Sequence, residues 1–504
     1  MNQVILLIAI PLLVAFSMPL TGKLFPRVSK VIALLTLLFE AIWAGFILFN
    51  TKGAVSVVIG GWLPPFGINL VVDHLSGVVA FVVSIVVLFS IFFQLSSGLS
   101  KKPNFYMLSL LLVASLMGII FTGDLFNLFV FFEIAGISAY SLIASGKNSN
   151  SSNGALGYLI PASVASVFYL VGIALIYSTL GTLNIAQIAS SFSSVKPILA
   201  TFIAFSLLTL VLLEFEIVPF NSWVPRAYQG APSSISAIFS SGLALASGYV
   251  MLRLGVIVFN GGQGGFIRTG SFELGHALFG IGVITVIAGE IAALAQKDVK
   301  KMLAFSSVGQ MGMVLVAFSI GTHSSIYGGI FALISHSFAK LLLFLTAGLI
   351  IMKTGKSKYT QWTGIARCSP LFGVLMLIGS LGVIGIPLFS GFWGKFAIIG
   401  STVVLGKIGF IATTLILAAS VVEGFYFFRL VHTMFETGEE KVPKVKANFA
   451  FWLISSLLVA VIVALGLRPG IIDGRLKKIP GELIGNAESG YVQAVNKQLK
   501  GSKK

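Results

Sequence analysis

Long apolar runs separated by short polar stretches recur from one end of the chain to the other. Each run approaches the roughly 20 residues that a helix needs to cross the hydrocarbon core of a bilayer. The pattern predicts about fourteen spans, beginning near residues 3, 30, 70, 104, 125, 155, 197, 232, 272, 301, 326, 365, 406 and 447. The segment from Val4 to Leu20 has signal-peptide length, but it has no basic start and no clear small-residue cleavage site, so it reads as the first retained span.

Two spans look interrupted. The seventh runs into Pro219-Phe-Asn-Ser-Trp223 and Pro225, and the twelfth into Gly385-Ile-Pro387-Leu-Phe-Ser-Gly391. Proline removes a backbone donor and clashes with the preceding turn. Backbone groups freed at membrane depth persist only where protein or a wet cavity surrounds them. The breaks lie five spans apart, and broken helices at matching places in two halves point to a transport site built from internal repeats.

The loops give the orientation. Taking the first loop as cytoplasmic, alternate loops hold 18 Lys and Arg residues, among them Lys23, Lys101, Lys102, Lys147, Arg226, Lys300, Lys301 and Lys441. The opposite loops hold only Lys52, Lys196, Arg268 and Lys407. The asymmetry follows the positive-inside rule and predicts that both termini lie outside. The tail from Arg468 to Lys504 carries further basic residues on that outer side, outside the rule, and reads as an interfacial or partner-docking segment.

Composition agrees with the pattern. Only 10% of the 504 residues are charged, against roughly 25% in soluble domains, so the class is an all-α polytopic membrane protein. The net charge of +17 is accounted for by loop orientation rather than nucleic-acid binding. A single cysteine, Cys368, excludes a disulfide framework and a cysteine-held iron–sulfur or zinc site within this chain. No cofactor or metal is expected in it. The glycine-rich Gly261-Gly-Gln-Gly-Gly265 lacks the Lys-Ser/Thr of a phosphate loop and reads as a flexible connection.

Ionisable residues inside spans are costly and mark ion pathways or paired contacts. Here they are Glu40, Asp73, His74, Glu133, Glu214, Glu216, Arg253, Glu290, His336, Lys340, Lys395 and Glu423. Glu40, Glu290 and Glu423 read equally well as structural or loop-adjacent groups, and Asp73 and His74 as anchors at a span's start. Glu133 lies about two turns inside a strongly aromatic span, where an unpaired carboxylate takes up a proton, either to pass it on or to sit protonated in a helix–helix hydrogen bond. His336 and Lys340 are spaced i, i+4 and share a helix face. A neutral histidine beside a lysine that can release its proton makes a proton-passing pair. Lys395 follows the second break, where its amine either stands beside unwound backbone or snorkels to the interface.

These segments together resemble the antiporter-like subunits shared by respiratory complex I, Mrp sodium/proton antiporters and membrane-bound hydrogenases. The resemblance covers nearly the whole chain. It rests on Glu133, on Pro219 to Pro225 followed by Ala231-Pro232, on Gln296-Lys-Asp-Val-Lys-Lys-Met-Leu-Ala-Phe-Ser-Ser307, on His336-x-x-x-Lys340 and on Ser390-Gly-Phe-x-x-Lys395. It implies two inverted five-helix repeats, spans 4–8 and 9–13, with helices 7 and 12 broken. The corresponding division is residues 1–103, 104–260, 261–432 and 433–504.

The resemblance also implies a charged axis through the membrane midplane on which Glu133, His336, Lys340 and Lys395 fall. Glu214 stands where the family keeps a lysine, and Leu245 where many members have a second. Glu133, Glu214 and Glu216 therefore bring three carboxylates to the first half, and close carboxylates share protons. The implied function is a non-redox, proton-translocating subunit of an oxidoreductase complex in the inner or plasma membrane. Its partners would be other membrane subunits and soluble iron–sulfur subunits. An Mrp-type antiporter subunit, or a structural scaffold with a degenerate first half-channel, are the alternatives.

Overall fold

A computed structural model of the protein describes residues 2–97, 103–146, 149–259, 274–437, 444–484 and 490–501. Lys101, Lys102, Lys147, Arg268, Lys441, Lys503, Lys504 and the Gly261–Gly265 loop lie outside the described residues. The first three spans are α1 (Leu6–Leu24), α2 (Pro26–Asn50) and α3 (His74–Ser96). Between α2 and α3 a ribbon of β1 (Val55–Val58) and β2 (Asn69–Val72) pairs antiparallel, with Val55 opposite Val72. The all-α expectation missed this ribbon, which β-branched Val55, Val57 and Val58 favour once the chain has left the helix.

Then follow α4 (Pro103–Phe121), α5 (Leu125–Ala144), α6 (Ser151–Leu180), the short α7 (Ile185–Ser191) and α8 (Pro197–Glu214). After the first break come the short α9 (Val224–Gly230) and the span α10 (Ser233–Phe259). The later spans are α11 (Leu274–Ala295), α12 (Val299–Ile320) and α13 (His323–Thr354). Next come the single turn α14 (Ile365–Cys368), the two halves α15 (Pro370–Ile384) and α16 (Gly391–Val403), then α17 (Gly406–Phe435) and α18 (Phe449–Leu467). Among the described residues, thirteen helices are long and apolar enough to cross a bilayer. The pair α15–α16 supplies one more span, broken, at the expected twelfth place.

Burial sorts the spans. Those of α10 and α13 are wholly inside the protein, and α12 nearly so, whereas α1 and α17 turn most of their surface outward. The outward residues are large and apolar, such as Leu13, Phe16, Phe410 and Val421, as lipid requires. Both breaks are local in cause. In the first, α8 ends at Glu214, Glu216 takes a left-handed φ of 64° and a 3₁₀ turn over Phe220–Trp223 leads into α9. In the second, Gly385 ends α15 at φ 79°, a conformation glycine adopts without steric penalty. Span eight departs from plain α-helix, with π turns at Phe239–Leu243 and Arg253–Phe259.

The tail docks on its own chain. It forms α19 (Gly470–Leu476), α20 (Ile479–Leu483) and α21 (Gly490–Gly501). Tyr491, Val492 and Val495 are buried, and Tyr327 donates to Asp473 at 2.6 Å. Asp73 and His74 have partners here as well. Asp73 caps α3 through the Ser76 N–H and pairs with Arg253, and His74 meets Glu482. The guanidinium of Arg253 also lies over the rings of Tyr249 and Tyr491. So two groups read as span anchors tie spans three and eight to the tail. The tail's lysines, Lys477, Lys478 and Lys497, stay exposed.

Small residues bring α11 and α12 together. A Cβ on Gly289 would stand 2.4 Å from the Gly309 nitrogen, and one on Gly312 would stand 2.7 Å from the Val286 nitrogen. Without a hydrophobic driving force between helices in lipid, such close backbone approach is what holds a pair. Overpacking costs typically ~1–3 kcal/mol, and rigid backbone on the far side places Gly289→Leu at about the upper end. The expected outcome is a lower thermal midpoint in detergent, while Gly280→Leu, with nothing within 4 Å of its Cβ position, leaves the midpoint unchanged.

Candidate functional site: a buried line of charged side chains

The second break sets the geometry around Lys395. Helix α15 stops at Ile384, whose carbonyl is left without a helical donor by the turn, and Lys395 lies one turn into α16. Its ammonium donates to the Ile384 carbonyl at 2.8 Å and to the Glu423 carboxylate of α17 at 2.6 Å. The side chain is buried, so snorkelling does not occur. The other oxygen of Glu423 accepts from Gln310 at 2.7 Å. Glu290 of α11 accepts from Tyr426 at 2.8 Å, one turn along α17 from Glu423. Glycine makes room for it, since a Cβ on Gly309 would lie 2.3 Å from a Glu290 oxygen.

Lys340 stands at the middle of the buried central stretch of α13. It donates to the Leu303 carbonyl at 2.9 Å and lies over the Phe427 ring at 5.8 Å. Three carboxylates, Glu423, Glu290 and Glu216, lie within electrostatic range of it. His336, one turn earlier, is buried, and neither ring nitrogen reaches good hydrogen-bond geometry among the described residues, although the Ser240 backbone lies close. The neighbouring Ser337 donates to the Ser241 carbonyl at 2.7 Å, within the π turn of α10. A π turn leaves backbone groups off the regular ladder, and such turns recur at functional sites.

In the first half, the carboxylates meet tyrosines where a lysine was missing. Tyr158 donates to Glu214 at 2.6 Å, and its ring stacks on Trp223 of the break at 3.9 Å. Trp223 in turn donates to the Leu213 carbonyl at 3.2 Å, which also accepts from the Glu216 N–H at 3.1 Å. Tyr228 of α9 donates to Glu216, whose other oxygen has no partner among the described residues. Glu214 and Glu216 lie within electrostatic range of each other, and Glu214 within range of Glu133. Leu245 is buried on α10 and contributes no charge.

Glu133 differs from its expected setting. It is partly exposed rather than deep and unpaired, and it accepts from Ser166 of α6. The reason is position: α5 lies on the flank, with less than half of its span inside the protein. Glu290 and Glu423, left open between structural and pathway roles, join the line. Tyr158, Tyr228, Tyr426 and Gln310 were not singled out in the sequence. Only the i, i+3 spacing of Glu423 and Tyr426 hinted at any of them. Glu40 is fully buried on α2 with neither oxygen partnered among the described residues, away from this line. Pro219 and Pro387 lie at the two breaks, and among the described residues no cluster of three or more His, Cys, Asp or Glu could hold a metal.

From the partly exposed Glu133, the buried Glu214, Glu216, Lys340, Glu290, Glu423 and Lys395 each lie within electrostatic range of the next along a bundle with two broken helices. That combination defines a polytopic ion-translocation subunit of the antiporter-like class. Residues 122–422, well over half the chain, match the model of the NADH:quinone oxidoreductase/Mrp antiporter transmembrane family, and the chain belongs to that family. It is 31% identical to an NADH-quinone oxidoreductase subunit of Desulforudis audaxviator over 80% of this chain and 82% of that one. It is 30% identical to an Na⁺/H⁺ antiporter subunit of Alkalihalophilus pseudofirmus over 92% of each. Among solved structures, a chain of the archaeal membrane-bound sulfane sulfur reductase superposes with a TM-score of 0.91 at 31% identity, over 98% of this chain and 100% of that one. A chain of the Mrp complex from Dietzia sp. shares the fold, with a TM-score of 0.89 at 22% identity, over 98% of this chain and 99% of that one.

Removing one member of a buried ion pair leaves an uncompensated charge and costs ~3–5 kcal/mol, whereas replacing both by apolar groups is often neutral. Lys395→Ala is expected to lower the thermal midpoint markedly, and Lys395→Met with Glu423→Leu to recover most of the loss. Differential scanning fluorimetry on the purified protein reads both.

Proposed function

We propose that this antiporter-like subunit carries protons across the membrane within a redox-driven, multi-subunit complex, and that its main route is the second half. The observation behind this reading is Lys340, a buried amine within electrostatic range of Glu216 from the first break and of Glu290 and Glu423 from the second half. A lysine in that position exchanges its proton with whichever neighbour the field favours, so a charge change at one end moves protonation at the other. The ends of the line are unlike. Glu133 on the flank suits a hand-over to an adjoining subunit, and Lys395 beside the freed Ile384 carbonyl suits release.

Two repeats, over residues 104–260 and 261–432, each contribute one broken helix to this reading. The first is a modified copy. Its carboxylates are held by neutral phenols, which give a hydrogen bond but no positive charge to repel or attract along the line. The chain itself holds no redox centre in this scheme. Electron transfer belongs to soluble iron–sulfur subunits of the same complex, and further membrane subunits adjoin it in the inner or plasma membrane. Both termini face outward on the loop charges. The likeness to a respiratory sulfane sulfur reductase chain at 31% identity along its whole length supports the redox-driven form. The Na⁺/H⁺ antiporter relative, similar over 92% of both chains, supports a gradient-driven Mrp form as the second reading.

The test is proton uptake by inverted vesicles carrying the assembled complex. General acid–base groups are worth 10²–10⁴-fold, so Lys340→Ala is expected to reduce pumping at least about tenfold with the partner subunits' activity retained. Tyr158→Phe with Tyr228→Phe is expected to keep more than about half of it. Full pumping in Lys340→Ala would sink the proposal. Co-purification with small membrane subunits alone would favour the Mrp form.

A further inference from the structure

Beside the first break, away from the charged line, α6, α9 and α12 enclose a cavity of about 400 Å³ at the lysine- and arginine-rich face. Arg226 and Lys301 line it together with Asn153 near the start of α6. Neither cation forms an ion pair among the described residues. The acid nearest in the chain, Asp298, is engaged by the Lys301 backbone N–H and by Gln229, each at 3.1 Å. The first turn of α6 adds the partial positive charge of a helix N-terminus.

The floor is rigid. A Cβ on Gly154 would stand 2.7 Å from the Arg226 carbonyl, so α6 and α9 touch through backbone. The Arg226 stem crosses Gly157, whose Cβ position lies 3.5 Å from Arg226 Cδ, and its guanidinium stays exposed. One wall is apolar and open. Leu156 and Ile160 line the cavity and are 53% and 63% exposed. Val164, Val167 and Val171 continue the stripe along the outer face of α6 at helical spacing.

We infer that this cavity binds the headgroup of an anionic phospholipid, with an acyl chain lying along the stripe. A phosphate suits the guanidinium, which donates in a planar fork, and Lys301 adds a second charge. Basic pockets between transmembrane helices on the cytoplasmic side take lipids of this kind. Leu156 and Ile160 set the lipid-facing surface directly beside the two cations, so a headgroup seated there keeps its acyl chain in the bilayer, a continuity that a free anion does not use. The site is independent of how ions cross the protein.

Native mass spectrometry of the full-length protein from mixed micelles of phosphatidylglycerol and phosphatidylcholine tests it. Wild type is expected to retain phosphatidylglycerol with a preference of about tenfold or more. Arg226→Gln with Lys301→Gln should abolish the preference, and Arg226→Lys should keep most of it. Gly157→Leu, which leaves the charge unchanged and fills the floor, should also lower retention. Millimolar inorganic phosphate should not displace the lipid. An unchanged preference in the double variant and in Gly157→Leu, no preference in wild type, or displacement by phosphate alone would each overturn the assignment.

Discussion

The amine of Lys395 sits between a carbonyl released by a broken helix and the carboxylate of Glu423, and the second half of the protein is arranged around that contact. No water in a hydrocarbon core can satisfy a free carbonyl or an unpaired charge, so each must be met from within the protein. The turn at Gly385 creates the acceptor and α16 delivers the donor one turn later. Glu423 then balances the charge and is itself held by Gln310. The break is therefore a binding element for a cation that already belongs to the chain.

The first break answers the same demand differently. There the carbonyl of Leu213 accepts both the Glu216 N–H of the turn and the indole N–H of Trp223, and the carboxylates take phenols from Tyr158 and Tyr228. A phenol satisfies a carboxylate whether it is charged or neutral, because the hydroxyl can donate or accept. An ammonium can only donate and brings a full charge. The two halves thus share a backbone device but differ in what a passing proton would meet. The half with lysines couples position to charge, while the half with tyrosines offers hydrogen bonds with little electrostatic leverage.

Much of this arrangement was legible in the sequence because membrane helices announce themselves. Fourteen apolar runs gave the spans to within several residues, and the proline clusters at 219 and 387 marked both breaks. The ribbon at Val55–Val58 and the π turns of α10 were not legible, since short β-branched runs and π geometry leave no periodic trace in an apolar segment. The partners of the charged groups were harder still. Tyr158 is 56 residues from Glu214 in the chain, and Glu290 is 136 from Tyr426. Spacing within one helix cannot reveal a contact made between helices. Glu133 was misjudged for depth for a related reason: an aromatic span reads as buried, whereas on the flank of a bundle the same residues face lipid or a neighbour.

Lys340 is where the two halves meet, and its surroundings explain why it can serve both. Its helix is buried along the central stretch, where the amine meets the Leu303 carbonyl and the Phe427 ring with three carboxylates in electrostatic range. None of these is a close ion pair like that of Lys395 with Glu423. A tightly paired lysine is stable and therefore reluctant to change, whereas one shared among several weaker partners shifts with small changes in their charge. The π turn of α10, pinned by Ser337 one residue from His336, adds backbone that is already off the regular ladder. The tightly held charge thus lies at the far end of the line and the loosely held one in its middle. On the proposed route, a perturbation entering from the first half would meet the loosely held amine before the strongest contact.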